Sequence, residues 1–362
     1  MEKGTGKRIL FAGGGTLGPV TPLLAVAEAW RKIDPSVEFV WVGTPHGPER
    51  ALVEAAGIPF ESLPVLRFTR YPSWEWLCWP VDAARTFVVA MRILCRTQPQ
   101  LVATAGGYTG VPLALLAWMR GIPVWAHQPD VRVLLSTKCV APFSRLITTA
   151  WKKTTSCLPP GKTVWIGSPV RERAVANPAL LNDEGIVLDP NVPTILAFGG
   201  GGGAQWLNET IGEVQTDLSM QANVVLLTGL KKRFTRVQES SGRIHCVERL
   251  VDAMPEALRA AEVVVCRAGM GTIADLAHFE KAAIFIPISG SAQEDNAQEL
   301  QNTHAAVVLD QAQTTPQSLR DHILALLADN PRRQFLGTQL SRTVPTDIAA
   351  NLVHLIQARC LQ

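Results

Sequence analysis

Arg8-Ile-Leu-Phe-Ala-Gly-Gly-Gly-Thr-Leu-Gly-Pro-Val-Thr-Pro22 decides the fold. A short apolar run, Ile9–Ala12, stops on three glycines and leads into a helical pattern from about Pro22 to Arg31. Strand, glycine turn and helix in that order open a parallel βαβ unit. The same plan restarts at Thr194: Thr194–Phe198 reads as a strand, Gly199–Gly203 as a loop of five consecutive glycines, and Gln205–Leu218 as a helix.

Working outward, further strands are expected at Val37–Val42, Leu101–Thr104 and Pro123–His127. In the second half they are expected at Val224–Thr228, Ile244–Val247, Val263–Cys266, Ala283–Pro287 and Ala305–Leu309. Asn177–Pro193, rich in Asn, Asp and Pro, reads as a loop, and Gly167-Ser168-Pro169 as the cleaner boundary. A final helix is expected over about Asp347–Ala358. The fold class is α/β: two Rossmann-like parallel-sheet domains facing a central cleft, the GT-B architecture. The expected domains are 1–168, with the C-terminal helix of 345–362 packing back on it, and 169–344.

Composition supports two cores. The chain has 362 residues, 47% hydrophobic and 18% charged, which excludes disorder. Seven cysteines lack any Cys-x-x-Cys pair, so neither a disulfide framework nor structural zinc is expected. Met1–Gly6 is polar and no secretory leader is read there; the longest apolar runs, such as Val111–Met119, are too short to span a bilayer. Residues 1–168 carry 18 Lys+Arg against 10 Asp+Glu and nine of the ten tryptophans, whereas the remainder carries 16 against 21. A basic, Trp-rich half joined to an acidic half suggests different partners for each.

Gly13, Gly15 and Gly18 satisfy G-x-G-x-x-G, but a dinucleotide site also needs an acid at the end of the second strand. That strand ends Val42-Gly43, and Glu38 sits at its other end, which opposes a nicotinamide-dependent oxidoreductase. The five-glycine loop lets backbone N–H groups approach an anion, helped by the following helix dipole. Cys266-Arg-Ala-Gly-Met-Gly-Thr272 repeats the device, and Asp275 follows in the first turns. That carboxylate either takes ribose hydroxyls or simply stabilises the helix dipole.

These motifs together resemble the MurG family, which transfers N-acetylglucosamine from its UDP-sugar to undecaprenyl-linked N-acetylmuramoyl-pentapeptide. The resemblance runs through Gly14-Gly15-Thr16-Leu-Gly18-Pro19, Gly106-Gly107-Tyr108, His127-Gln-Pro-Asp130, Gly167-Ser-Pro-Val-Arg171, Gly199–Asn208, Arg267–Asp275 and Gln293-Glu-Asp-Asn296. It implies an inverting, metal-independent transferase with no cofactor beyond the donor, UDP-N-acetylglucosamine. Donor contacts would come from Thr16, Gly18, Arg171, Gly201, Gly202, Val251, Gly269, Met270, Gly271, Thr272, Asp275, Gln293 and Asn296. Arg171 would meet the phosphates, Val251 the uracil and Asp275 the ribose, while the amides of Gln293 and Asn296 would read sugar hydroxyls. Gly15, Gly106, Gly107 and Tyr108 would face the acceptor.

The match departs at several positions. Pro19 stands where the family has His, Asp275 where it has Glu, Gly201-Gly202 where it has Ser-Gln, and His127-Gln-Pro-Asp130 where it has His-Glu-Gln-Asn. A proline can neither take a proton nor donate its backbone N–H. The base is therefore expected at Asp130, with His127 second; a loop-capping carboxylate and a satisfied strand-end histidine are the plainer alternatives.

Trp74, Trp76 and Trp79 precede Arg85, Arg92 and Arg96, which share one face of a helix. Aromatics with arginines suit an anionic headgroup layer, although solvated arginines on a core helix read the same way. The expected location is peripheral, on the cytoplasmic face of a bacterial plasma membrane. No nucleic-acid partner is expected, since no such module appears. A transferase acting on another lipid acceptor and a non-catalytic nucleotide-sugar-binding protein are the competing functions.

Overall fold

The structure is a computed structural model that describes residues 7–16, 18–64, 79–171, 176–200, 203–229 and 242–362. Gly201, Gly202, Trp74 and Trp76 lie outside the described residues, as does the side chain of Trp79. The chain divides into two compact units, 1–172 with 346–362 and 173–345.

In the first unit β1 (Arg8–Ala12) leads to α1 (Val20–Ile33), β2 (Glu38–Gly43), α2 (Glu49–Ala55) and β3 (Phe60–Ser62). Then follow α3 (Trp79–Thr97), β4 (Leu101–Thr104), α4 (Gly110–Met119), β5 (Val124–Gln128), α5 (Leu135–Val140), β6 (Leu146–Thr149) and β7 (Thr163–Trp165). The strands form one parallel sheet in the order β3-β2-β1-β4-β5-β6-β7. Period-2 alternation sends successive β1 side chains to opposite faces. Ile9 and Phe11 join Trp30, Trp41 and Trp125 in one core, while Leu10 and Ala12 join Leu94, Leu113 and Val102 in the other.

The second unit contains α6 (Ala179–Asp183), β8 (Thr194–Phe198), α7 (Gln205–Ser219), β9 (Asn223–Leu227), β10 (Ile244–Val247), α8 (Met254–Ala260) and β11 (Val263–Cys266). It continues through α9 (Met270–His278), β12 (Ala283–Phe285), α10 (Ala292–Asn302), β13 (Val307–Val308), α11 (Pro316–Ala328) and α12 (Asn330–Thr343). Its parallel sheet runs β10-β9-β8-β11-β12-β13. Helices α7 and α11 cover one face through Leu207, Ile211, Leu218, Leu319 and Ile323. The chain ends in α13 (Ala349–Cys360), whose Leu352, Val353, Ile356 and Cys360 enter the Trp30 core of the first unit.

Three strands lack the long apolar run that would reveal them: β3 and β7 are three-residue edge strands, and half of β6 is threonine. The strand expected over Ala305–Leu309 shrinks to Val307–Val308, the residues in register with Ile284 and Phe285 of β12, although the Leu309 N–H still donates to the Phe285 carbonyl at 2.9 Å. The stretch expected as a loop at Asn177–Pro193 includes α6. No helix among the described residues is long and apolar enough to cross a membrane.

Candidate functional site

In an open parallel sheet, ligands gather beyond the carboxyl ends of the strands where the strand order reverses. The first unit reverses between β1 and β4, and the second between β8 and β11. The glycine loops read from the sequence follow those four strands.

In the first unit the loops after β1, β4 and β5 meet. Gly107 has a φ of +86°, and a Cβ there would lie 3.0 Å from the Gly14 carbonyl oxygen, so two backbones touch at that point. Gly106 has a φ of +112°, and its Cβ would meet Leu134 at 3.2 Å and Pro19 at 3.8 Å. Gly15, Thr16, Gly18 and Tyr108 are exposed around this junction. Trp41 pins the first loop by donating its indole N–H to the Gly13 carbonyl at 2.9 Å. Pro19 is buried at the start of α1.

Asp130 is half-buried on the loop after β5, and that loop is held from beneath. Gln128, fully buried, donates to the carbonyls of Asp130 at 2.8 Å and Arg132 at 3.0 Å, and accepts from the Leu134 N–H at 3.3 Å. Trp151 donates to the Pro129 carbonyl at 2.9 Å, and the Thr154 hydroxyl to that of Val131 at 3.0 Å. Asp130 thus stands on a fixed backbone whose Leu134 end touches Gly106.

His127, expected as the second candidate base, lies in the interior of the first unit. It is 1% exposed, with Nδ1 3.0 Å from the Thr148 hydroxyl, which also accepts from Trp125 at 3.0 Å. Its Nε2 is buried without a partner, and burial pushes its pKa down to about 4. With that pKa the ring is neutral at neutral pH, and it is sealed from solvent.

Arg171 is exposed and pairs with Glu28 of α1 at 3.1 Å, one residue before the end of the first unit's leading segment. This ion pair occupies one edge of the guanidinium.

In the second unit, Gly199 packs so tightly that a Cβ would run into Ala204, and Gly203 closes the turn on the Gly200 carbonyl at 3.0 Å. Gly269 caps α9 with open space where a side chain would stand. Gly271, Thr272 and Asp275 are half-buried on the first turns of α9, Met270 is buried, and Val251 is exposed after β10.

The amide pair splits. Asn296 is fully buried and donates to the Ala268 carbonyl at 3.2 Å, so it props the loop after β11 from below. Gln293 is half-buried at the start of α10 and accepts from the Ile288 N–H at 3.2 Å.

Sequence reasoning gave no role to Arg267, Gln128 or Glu49. Arg267 is buried and donates to the carbonyl of Ile286 at 2.8 Å and to the Gln311 amide oxygen at 2.7 Å. Burial lowers its pKa, yet a guanidinium keeps its charge, so a cation sits under the loop that opens α9. Among the described residues no group of three His, Cys, Asp or Glu could hold a metal ion.

Comparison with known proteins adds the decisive observation. The glycosyltransferase family 28 N-terminal domain matches residues 9–148, and its C-terminal domain matches 194–351. A relative from Streptomyces coelicolor is 32% identical over 364 residues, covering 96% of this chain and 97% of its own. It is described as a UDP-N-acetylglucosamine–N-acetylmuramyl-(pentapeptide) pyrophosphoryl-undecaprenol N-acetylglucosamine transferase, as is a Bifidobacterium longum relative, 31% identical with 93% of each chain covered. The chain belongs to the MurG family. The crystal structure of Acinetobacter baumannii MurG has the same fold, with a TM-score of 0.73 at 23% identity, over 97% of this chain and 99% of that one. As a MurG family member the protein is a UDP-N-acetylglucosamine-dependent glycosyltransferase of the GT-B class.

Proposed function

We propose that this protein transfers N-acetylglucosamine from UDP-N-acetylglucosamine to undecaprenyl-pyrophosphoryl-N-acetylmuramoyl-pentapeptide, converting lipid I to lipid II in peptidoglycan synthesis. The observation that carries this reading is identity of about 30% with transferases of that description along nearly the whole chain.

The second unit takes the donor. Backbone N–H groups at the start of α9 and in the Gly199–Gly203 loop receive the diphosphate, with Arg267 beneath them as a fixed positive charge. Asp275 holds the ribose, Val251 meets the uracil, and Arg171 approaches the phosphates after exchanging Glu28 for them. Gly201 and Gly202 belong to the same donor set.

The first unit takes the acceptor at Gly15, Gly106, Gly107 and Tyr108. Asp130 removes the proton from the acceptor hydroxyl as its oxygen forms a bond to the anomeric carbon. The bond from that carbon to the UDP oxygen breaks on the opposite face, and UDP leaves with the electron pair. The configuration inverts, and no metal or further cofactor takes part.

The membrane supplies the lipid acceptor, and docking is assigned to α3. Arg85, Arg92 and Arg96 lie on one exposed stripe with Val81 and Val88, and Trp118 and Met119 are exposed at the end of α4. Cations beside apolar side chains fit the anionic cytoplasmic leaflet.

Two measurements test the proposal. Labelled UDP-N-acetylglucosamine should pass its sugar to the muramoyl lipid in a β linkage, undiminished by EDTA; label that stays on UDP defeats the reading. Label that moves instead into a different lipid supports a transferase acting on another lipid acceptor, and tight donor binding without transfer supports a non-catalytic nucleotide-sugar-binding protein, the reading that the change at Pro19 favours. Native protein should pellet with anionic vesicles at low salt, and Arg85→Glu/Arg92→Glu should not; equal indifference to anionic and neutral vesicles defeats the membrane assignment.

A further inference from the structure

Glu49 is a carboxylate with no exposed surface, at the first position of α2, outside every motif quoted for the family resemblance. Its Oε1 accepts from the Thr44 backbone N–H at 2.7 Å and from the Thr44 hydroxyl at 2.6 Å. Its Oε2 accepts from the Gly15 N–H at 3.3 Å. One side chain thus ties the turn after β2 to the glycine loop after β1.

Two glycines make room for it, and a third borders it. A Cβ on Gly14 or Gly47 would overlap the carboxylate, and one on Gly43 would come within 3.0 Å of it. None of the three has a positive φ, so no backbone conformation demands glycine there. Close approach of the carboxylate accounts for the missing side chains of Gly14 and Gly47, whereas at Gly43 the Phe60 ring stands nearer than the carboxylate.

A carboxylate at the start of a helix ordinarily serves the helix dipole or caps its N–H groups. Here both oxygens are directed to donors outside the helix. The Gly15 φ of +85° turns its N–H inward to Glu49, while Gly15, Thr16 and Gly18 remain exposed above.

We propose that Glu49 is the positioning residue of the first glycine loop, holding Gly15 and its neighbours in the shape that receives the lipid-linked acceptor. This rests on the assignment of that loop to the acceptor. Glu49 touches no substrate; it acts through the backbone of Gly14–Thr16, which also abuts Gly107.

The test uses Glu49→Gln, which keeps the volume. In either amide orientation one backbone donor then faces an NH2 group. Losing a charge-assisted bond of this kind should raise the KM for the lipid acceptor by about ten-fold or more. The donor dissociation constant should change far less by calorimetry, since most of the expected donor contacts lie in the second unit, and amide exchange of the segment containing Gly15 should accelerate in the free protein. Gly47→Ala, which displaces the carboxylate without removing it, should reproduce both effects.

A variant that lowers thermal stability yet leaves acceptor KM and loop exchange at native values would make Glu49 a purely structural residue and overturn the proposal. Equal changes in donor and acceptor constants would overturn it too. If native protein transfers nothing to the lipid acceptor, the acceptor assignment fails by itself. Amide exchange in Glu49→Gln still decides whether Glu49 holds the loop.

Discussion

Gln128→Leu removes the side chain that fixes the backbone from Asp130 to Leu134, and its cost follows from the structure. Three hydrogen bonds disappear: to the carbonyls of Asp130 and Arg132 and from the N–H of Leu134. Leucine has nearly the same volume, so the cavity contribution is small and the loss is chiefly polar. Net values for such bonds are about 1 kcal/mol each, and buried groups left unpaired cost more, so about 3 kcal/mol is expected. For a unit of this size that lowers the melting temperature by roughly 6–12 °C. Catalysis should suffer more than stability, because a displacement of about 1 Å at a reacting group can cost about a hundred-fold in rate. Differential scanning fluorimetry and single-turnover transfer at saturating donor give the two numbers. The donor dissociation constant should not move, since Gln128 lies in the first unit. A melting temperature and a turnover rate both at native values would refute the claim that Gln128 organises the Asp130 loop.

Other consequences are equally open to measurement. His127 has a folded pKa of about 4 against 6.5 for the free side chain, so the unfolded chain binds the extra proton between those values. Its contribution, about 3 kcal/mol, is present above pH 6.5 and is lost as pH falls toward about 4; urea midpoints for native protein and His127→Phe should converge on acidification, and parallel pH profiles would contradict this. Asn296→Ala should raise the donor KM and cost about 1–3 kcal/mol by freeing the Ala268 carbonyl; an unchanged donor KM would return Asn296 to ordinary packing. Gly107→Ala combines a positive φ with a 3.0 Å approach to Gly14, so the acceptor KM should rise and stability fall by about 1–3 kcal/mol, as titration of acceptor and urea unfolding would record.

Much of the fold was legible in the sequence, because β1 and β8 each run into glycines and then a helix, and buried parallel strands are near-continuous apolar runs. β3, β6 and β7 were not, because their pairing with β2, β5 and β6 defines them and they have no long apolar run. At the site, residue types pointed to the loops, but what meets what is a tertiary fact. That Gly107 abuts Gly14, and that Glu49 and Gln128 brace loops from beneath, has no one-dimensional signature. His127 and Asn296 were read by chemical capacity, and their burial in the interior is likewise a tertiary fact that residue type does not reveal.

The most direct measurement is sugar transfer from UDP-N-acetylglucosamine to the undecaprenyl-linked muramoyl-pentapeptide by native protein and Asp130→Ala side by side, with donor binding followed in both. The account predicts transfer by the native protein, loss of at least about a hundred-fold in the variant, and unchanged donor affinity. No transfer by the native protein would contradict the function, and undiminished transfer by Asp130→Ala would contradict the assignment of the base.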